Sequence, residues 1–185
     1  MFAKATLFIG LICLTIHSNA QNAKRNSTYI ELGGNAVFYS VNYDRIIPLN
    51  NQIKLAPRIG IMYLPIIDRR ANNTFGNVNI PVELNVLWGR DDNVKNFPEL
   101  GLGLNLVSIK DGYVLGPSDQ VLKYTSKFAK IAIIRAGFRH QKPRGGFMYR
   151  VGLLIPIVQD DYSKQRVGDD VFYRIYGGIS LGWSF

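Results

Sequence analysis

Residues 99–107 read ELGLGLNLV, and their strict alternation decides the fold class. Leucines occupy the even positions from 100 to 106, while Glu99, two glycines and Asn105 occupy the odd positions. A period of two places successive side chains on opposite faces of a strand. The stretch is therefore predicted to be a strand with one apolar face and one polar face.

The same period recurs along most of the chain. It is clear in residues 80–88 (IPVELNVLW), 147–157 (FMYRVGLLIPI) and 173–185 (YRIYGGISLGWSF), and no window after residue 20 keeps a helical period. We therefore predict an all-β fold, an eight-stranded antiparallel up-and-down transmembrane β-barrel. The predicted strands are 28–34, 37–46, 52–64, 78–88, 98–109, 128–140, 146–158 and 172–185.

Two predicted strands are less regular. In KIAIIRAGFRH (130–140) the alternation slips between Ile133 and Arg135, which predicts a β-bulge. Pro57 falls inside a strand, where its missing N–H predicts an interrupted ladder.

The first twenty residues, MFAKATLFIGLICLTIHSNA, have the layout of a secretory signal peptide. Lys4 precedes a short apolar stretch, and a small-x-small cleavage site ends at Ala20. We predict a signal peptide at 1–20, a short N-terminal segment at 21–27 and the barrel at 28–185. Cleavage would remove Cys13, the single cysteine, so the mature chain would form no disulfide or thiolate metal site. No cofactor is predicted.

The polar faces of the strands resemble a narrow interior more than a water-exposed surface. They carry repeated glycines, which suit a lumen where opposite walls compete for room, and charges of both signs. The apolar phase carries no charge in its central stretch, as lipid contact requires. We predict a lumenal charge network formed by Glu31, Asp44, Lys54, Arg58, Glu83, Glu99, Lys130, Arg150 and Arg174.

The connections and the aromatic residues also favour a membrane barrel. Shorter turns follow the second, fourth and sixth strands, and longer polar connections follow the third, fifth and seventh. Aromatic side chains cluster in the outward phase at the short-turn end, as in an interfacial girdle. The predicted girdle comprises Tyr43, Trp88, Phe138, Phe147, Tyr149, Trp183 and Phe185.

The closing LGWSF, with Leu181, Trp183 and Phe185 in alternating positions, resembles the C-terminal insertion signal of bacterial outer-membrane barrels. Ser180 stands where that signal often has glycine. Together with YIELGGNAVFYSVNYDRII (29–47), the pattern resembles the small outer-membrane barrels of Bacteroidetes-type bacteria and, more broadly, eight-stranded barrels of the OmpX and OmpA-domain type. The resemblance covers residues 28–185. It implies location in the outer membrane of a Gram-negative cell and recognition by the barrel-insertion machinery, and it says little about activity.

Catalytic motifs are scarce. His140 is the single histidine after the signal, and no HExxH motif or clustered carboxylates accompany it. Lipid A deacylases of the eight-stranded barrel type place a serine two residues after their histidine, whereas this chain has Lys142. No catalytic or metal-binding residue is therefore assigned.

The net charge of +9 favours a polyanionic partner, and export makes nucleic acid an unsuitable one. Arg69, Arg70, Lys123 and Lys127 are the predicted contacts for lipopolysaccharide phosphates and outer-membrane lipids. The predicted function is a non-enzymatic outer-membrane barrel, with an envelope-structural or surface-interaction role and a lumen closed by side chains. A lipid-modifying enzyme and a soluble secreted barrel that carries a hydrophobic ligand are the alternatives.

Overall fold

A computed structural model describes residues 23–68, 73–90, 94–115, 121–161 and 175–185. Nearly all of them lie in β-strands, and no helix among them is long and apolar enough to cross a membrane. The strands are β1 (Asn26–Gly33), β2 (Tyr39–Arg45), β3 (Ile47–Pro48), β4 (Ile53–Asp68), β5 (Asn73–Trp88), β6 (Asn96–Leu115), β7 (Val121–Gln141), β8 (Gly146–Gln159) and β9 (Tyr176–Ser184).

The sheet closes on itself. All pairings are antiparallel, β2 pairs with β1 and β4, and β1 pairs with both β2 and β9. The short β3 continues the line of β2 along β4, so the nine segments occupy eight positions around the wall. The predicted all-β, eight-stranded antiparallel barrel is confirmed.

The predicted irregularity at Pro57 is also present. The register pairs Asp44 with Arg58 and Ile47 with Leu55, and the ladder is interrupted between them, opposite Pro57. Proline has no N–H to donate. On the other side of the chain the pairing with β1 continues, since the Ile46 amide donates to the Arg25 carbonyl at 2.8 Å.

The predicted bulge in β7 is wrong. The pairing of β7 with β6 is continuous through this stretch, and Ile131, Ile133 and Arg135 all point inward. The register shift instead places the extra residue, Ile157, in β8. The apparent slip arose because part of the interior is apolar: Ile131, Ile133 and Leu154 pack together inside the barrel.

Two of the predicted long connections are mostly strand. β4 and β5 pair as far as Asp68 with Asn73, and β6 and β7 pair as far as Leu115 with Val121. Sequence between these strands is rich in polar residues, which suggested loops, but hairpin pairing continues through it. Most of the third predicted long connection, between β8 and β9, lies outside the described residues.

The turn between β1 and β2 folds into the barrel mouth. Gly34, Asn35 and Ala36 form one buried turn of 3-10 helix, and Asn79 and Asn105 donate side-chain hydrogen bonds to its carbonyls at 3.2 and 2.5 Å. Gly34 has a φ of 67°, and a Cβ there would collide with the Glu31 carboxylate. Only glycine lets the turn approach this carboxylate so closely.

Val37, at the end of this turn, is held in an unfavourable backbone conformation. Its φ of 76° and ψ of −51° are close to those of a rare, strained γ-turn. Such strain costs about 1–3 kcal/mol, which glycine would remove. Glycine's extra backbone entropy in the unfolded chain would offset about 0.5–1 kcal/mol of that gain. We expect Val37→Gly to raise the free energy of unfolding by about 1 kcal/mol in urea titrations of the refolded protein.

The matched control is Val41→Gly. Val41 is another exposed valine, but it lies within β2 and has no positive φ. Glycine in a strand interior is destabilising, so this variant should unfold at lower urea. If Val37→Gly also unfolded at a lower urea concentration than the native protein, the result would contradict backbone strain at this turn.

Candidate functional site: the ionic interior of the barrel

The barrel has charged side chains inside and apolar side chains outside. Along β6, Glu99 and Asn105 are buried, whereas Leu100, Leu102 and Leu104 are exposed. Eight charged residues occupy the centre, each at most 3% exposed. They are Glu31, Asp44, Arg58, Glu83, Glu99, Arg135, Arg139 and Arg150.

These eight residues form one connected network, which we call the ionic core. It contains four carboxylates and four guanidinium groups, so its formal charge is balanced. Every arginine bridges two carboxylates, a geometry that the planar guanidinium fork favours. Charges removed from water are tolerable only when they are paired and hydrogen-bonded in this way.

The half of the ionic core nearer the β1–β2 turn joins β1, β4, β5 and β7. Arg58 contacts Glu31, and its Nη1 lies 3.0 Å from Glu83 Oε1. Arg135 Nη2 lies 2.8 Å from Glu31 Oε1 and 3.0 Å from Glu83 Oε1. Because the four residues come from four strands, these contacts tie opposite walls of the barrel together.

The other half lies nearer the short turns. Arg139 Nη2 is 2.5 Å from Asp44 Oδ2, and its Nε is 3.1 Å from Glu99 Oε2. Arg150 contacts Glu99 and also reaches Glu83, with Nη2 at 3.1 Å from Oε2. Glu83 therefore contacts three arginines and links the two halves.

Neutral polar side chains also hydrogen-bond to the ionic core. The Tyr29 hydroxyl donates to Asp44 Oδ2 at 3.1 Å and accepts from Arg150 Nη1 at 3.2 Å. Asn42 Oδ1 accepts from Arg58 Nη2 at 2.8 Å, and Asn85 Oδ1 accepts from Arg150 Nη2 at 3.0 Å.

Six of the nine residues predicted for the charge network meet in the ionic core. They are Glu31, Asp44, Arg58, Glu83, Glu99 and Arg150. Lys54 also points inward, but it lies at the short-turn end, where its Nζ donates to the Gly89 carbonyl at 3.2 Å and lies over the Phe97 ring. The side chain of Arg174 lies outside the described residues.

The prediction for Lys130 is wrong, because its side chain is exposed on the outer face of β7. The same error hid Arg135 and Arg139, which belong to the ionic core but were not predicted. Both share the phase of Ile131 and Ile133, so an uninterrupted alternation through β7 would have found them.

The predicted girdle residues lie in the outward phase near the short turns. Tyr43, Trp88, Phe147, Trp183 and Phe185 are exposed. Phe138 and Tyr149 are half-buried, because the Tyr149 ring lies between those of Phe138 and Phe147, with centroids 6.4 Å from each.

The chain terminus is part of the wall. Asn26 and Phe185 exchange backbone hydrogen bonds, with N–O distances of 3.1 and 2.9 Å. Leu181, Trp183 and Phe185 point outward from this ordered end. The three residues of the predicted insertion signal therefore form one exposed apolar row beside β1.

His140 is engaged in local contacts. Its Nδ1 lies 2.6 Å from Asn96 Oδ1, and its ring stacks on Tyr149 with centroids 4.9 Å apart. Within the described ranges, no group of three or more histidine, cysteine or acidic residues could hold a metal ion.

These features define a closed eight-stranded antiparallel barrel with an ionic interior and an apolar exterior. No family model matches the sequence, and no curated protein matches it. Among solved structures, the chain is similar to the N-terminal β-barrel domain of Pseudomonas aeruginosa OprF, at 14% sequence identity and a TM-score of 0.50. The similarity covers 90% of this chain and 100% of the OprF domain. At this identity it shows a shared barrel fold.

Proposed function

We propose that the protein is a non-enzymatic integral barrel of a bacterial outer membrane, with an envelope-structural or surface-interaction role. The observation that carries the proposal is the inverted polarity of the wall. The ionic core is buried, while leucine, isoleucine and valine side chains cover the outside. A barrel whose outer surface is apolar all round is unsuited to water. Lipid acyl chains solvate such a surface.

The ends of the wall also support the proposed location in an outer membrane. The aromatic girdle lies at the short-turn end, where a membrane interface accommodates amphipathic rings. The apolar row of Leu181, Trp183 and Phe185 is available for recognition by the barrel-insertion machinery. The predicted signal peptide at 1–20 would deliver the chain to this machinery.

The interior favours a structural role over diffusion of solutes. Eight strands leave room for little more than side chains. The ionic core crosses this space, and the buried turn at 34–36 occupies the mouth above it. We therefore propose that side chains close the lumen.

The end of the barrel opposite the short turns is the proposed surface for lipopolysaccharide. Lys127 is exposed there. The other proposed contacts, at Arg69, Arg70 and Lys123, have side chains outside the described residues. We also propose that this chain belongs to the small outer-membrane barrels of Bacteroidetes-type bacteria. This proposal rests on the closing LGWSF and on residues 29–47.

Cell fractionation tests the proposed location. The protein, expressed with its own residues 1–20 in a Gram-negative host, is expected in the outer-membrane fraction. It should also migrate faster on unboiled than on boiled gels, because a folded barrel stays compact in mild detergent. Recovery from the soluble periplasm, with identical migration before and after boiling, would contradict the proposal and favour a soluble barrel.

A further inference from the structure

An apolar groove crosses part of the outer wall, and we call it the wall groove. It starts beside β3 at Ile47 and Pro48, and its apolar lining includes Leu84, Leu102 and Leu104. Ala132 of β7 closes its far end. The groove therefore spans six neighbouring segments of the wall, β2 to β7.

Register shows the direction of the wall groove. Ile59 pairs with Val82, Val82 with Leu104, and Leu104 with Ala132. Ile47 lies next to a short turn, whereas Ala132 lies in the middle of β7. The groove thus leads away from the short-turn end along the wall, as an acyl chain does when it enters a bilayer from the interface.

Two small outward residues account for the depression. Pro57 and Ala132 stand in the outward phase between larger leucines and isoleucines. Pro57 also interrupts the ladder opposite Arg45, so the wall departs from regular pairing where the groove begins.

The low end of the wall groove is cationic. Arg25 and Arg45 both line it, and both are half-buried. Neither arginine has a carboxylate within ion-pairing distance among the residues that the structure describes. The girdle residue Tyr43 lies beside them, which puts both guanidinium groups at the depth of the interface.

We propose that the wall groove binds one anionic phospholipid from the leaflet at the short-turn end. Its phosphate sits on Arg25 and Arg45, and one acyl chain lies along Leu84, Leu102 and Leu104. Guanidinium groups bind phosphate oxygens bidentately, and the groove provides an apolar path that free phosphate would leave empty. The inference rests on the proposed function, since only a barrel inserted in a bilayer presents this wall to lipid.

Native mass spectrometry of the mature protein, released from vesicles of equal phosphatidylglycerol and phosphatidylcholine, tests the proposal. We expect one retained phosphatidylglycerol per barrel. Each of Arg25→Gln and Arg45→Gln should weaken its retention about fivefold, since one surface cation contributes roughly 1 kcal/mol to anionic lipid binding. Arg144→Gln removes an exposed cation at the same end that does not line the groove, and it should change nothing.

A second variant tests the apolar half independently of charge. Ala132→Phe should fill the far end of the groove and lower retention of both lipids, while the variant keeps its heat-dependent gel shift. The inference would be overturned if the native barrel retained the two lipids equally. It would also be overturned if inorganic phosphate displaced phosphatidylglycerol completely. Failure to enter vesicles at all would instead contradict the proposed function.

Discussion

Replacing Glu83 with leucine is expected to lower the free energy of unfolding by about 3–5 kcal/mol, because it breaks a buried network of ion pairs. Glu83 is buried and contacts Arg58, Arg135 and Arg150. Its removal leaves the ionic core with one uncompensated positive charge and withdraws a partner from three guanidinium groups. Urea unfolding of the refolded barrel in detergent micelles measures the change.

The double variant Glu83→Leu with Arg58→Leu is the sharpest control. It restores the charge balance, so the combined loss should be smaller than the sum of the two single losses. Arg144→Leu removes an exposed charge from the turn between β7 and β8 and should change the unfolding free energy by less than about 1 kcal/mol. A loss below about 1 kcal/mol for Glu83→Leu would mean that the ionic core does not hold the walls together.

The second large effect is expected at Leu153, in the middle of β8 on the outer wall. Leu153→Arg should cost about 2–4 kcal/mol in a bilayer, because the guanidinium group would lie at mid-depth in hydrocarbon. In water the same change at an exposed site is nearly neutral. Refolding yield and urea unfolding in lipid vesicles report the difference.

Leu49→Arg provides a matched comparison. Leu49 and Leu153 are each 59% exposed, but Leu49 lies in the short turn between β3 and β4. Exposure alone therefore predicts equal effects, whereas insertion in a membrane predicts that only Leu153→Arg impairs assembly. Two variants that refold equally well would contradict a lipid-facing wall.

The sequence predicted the strands and the polarity of the wall because both follow from period-two alternation. Residues 99–107 alternate without interruption, and the structure keeps that phase along β6. The girdle needed one further step, the placement of each aromatic residue relative to a short turn. Local pattern was sufficient for these features.

The composition of the ionic core was harder to predict. Alternation separates two faces but does not require an interior to be polar throughout, and Ile131, Ile133 and Leu154 form an apolar layer inside the barrel. Mistaking that layer for the outer face introduced a false bulge, placed Lys130 inside and concealed Arg135 and Arg139. The wall groove depends on register between six segments, which no local pattern contains.

The most direct test of a lipid-facing wall uses the two tryptophans of the chain. Trp88 and Trp183 are 41% and 60% exposed, and both lie in the girdle. In vesicles with brominated acyl chains their fluorescence should be quenched, and bromine near the headgroup end should quench more than bromine near the methyl end. Emission that stays unquenched at both depths would contradict the account.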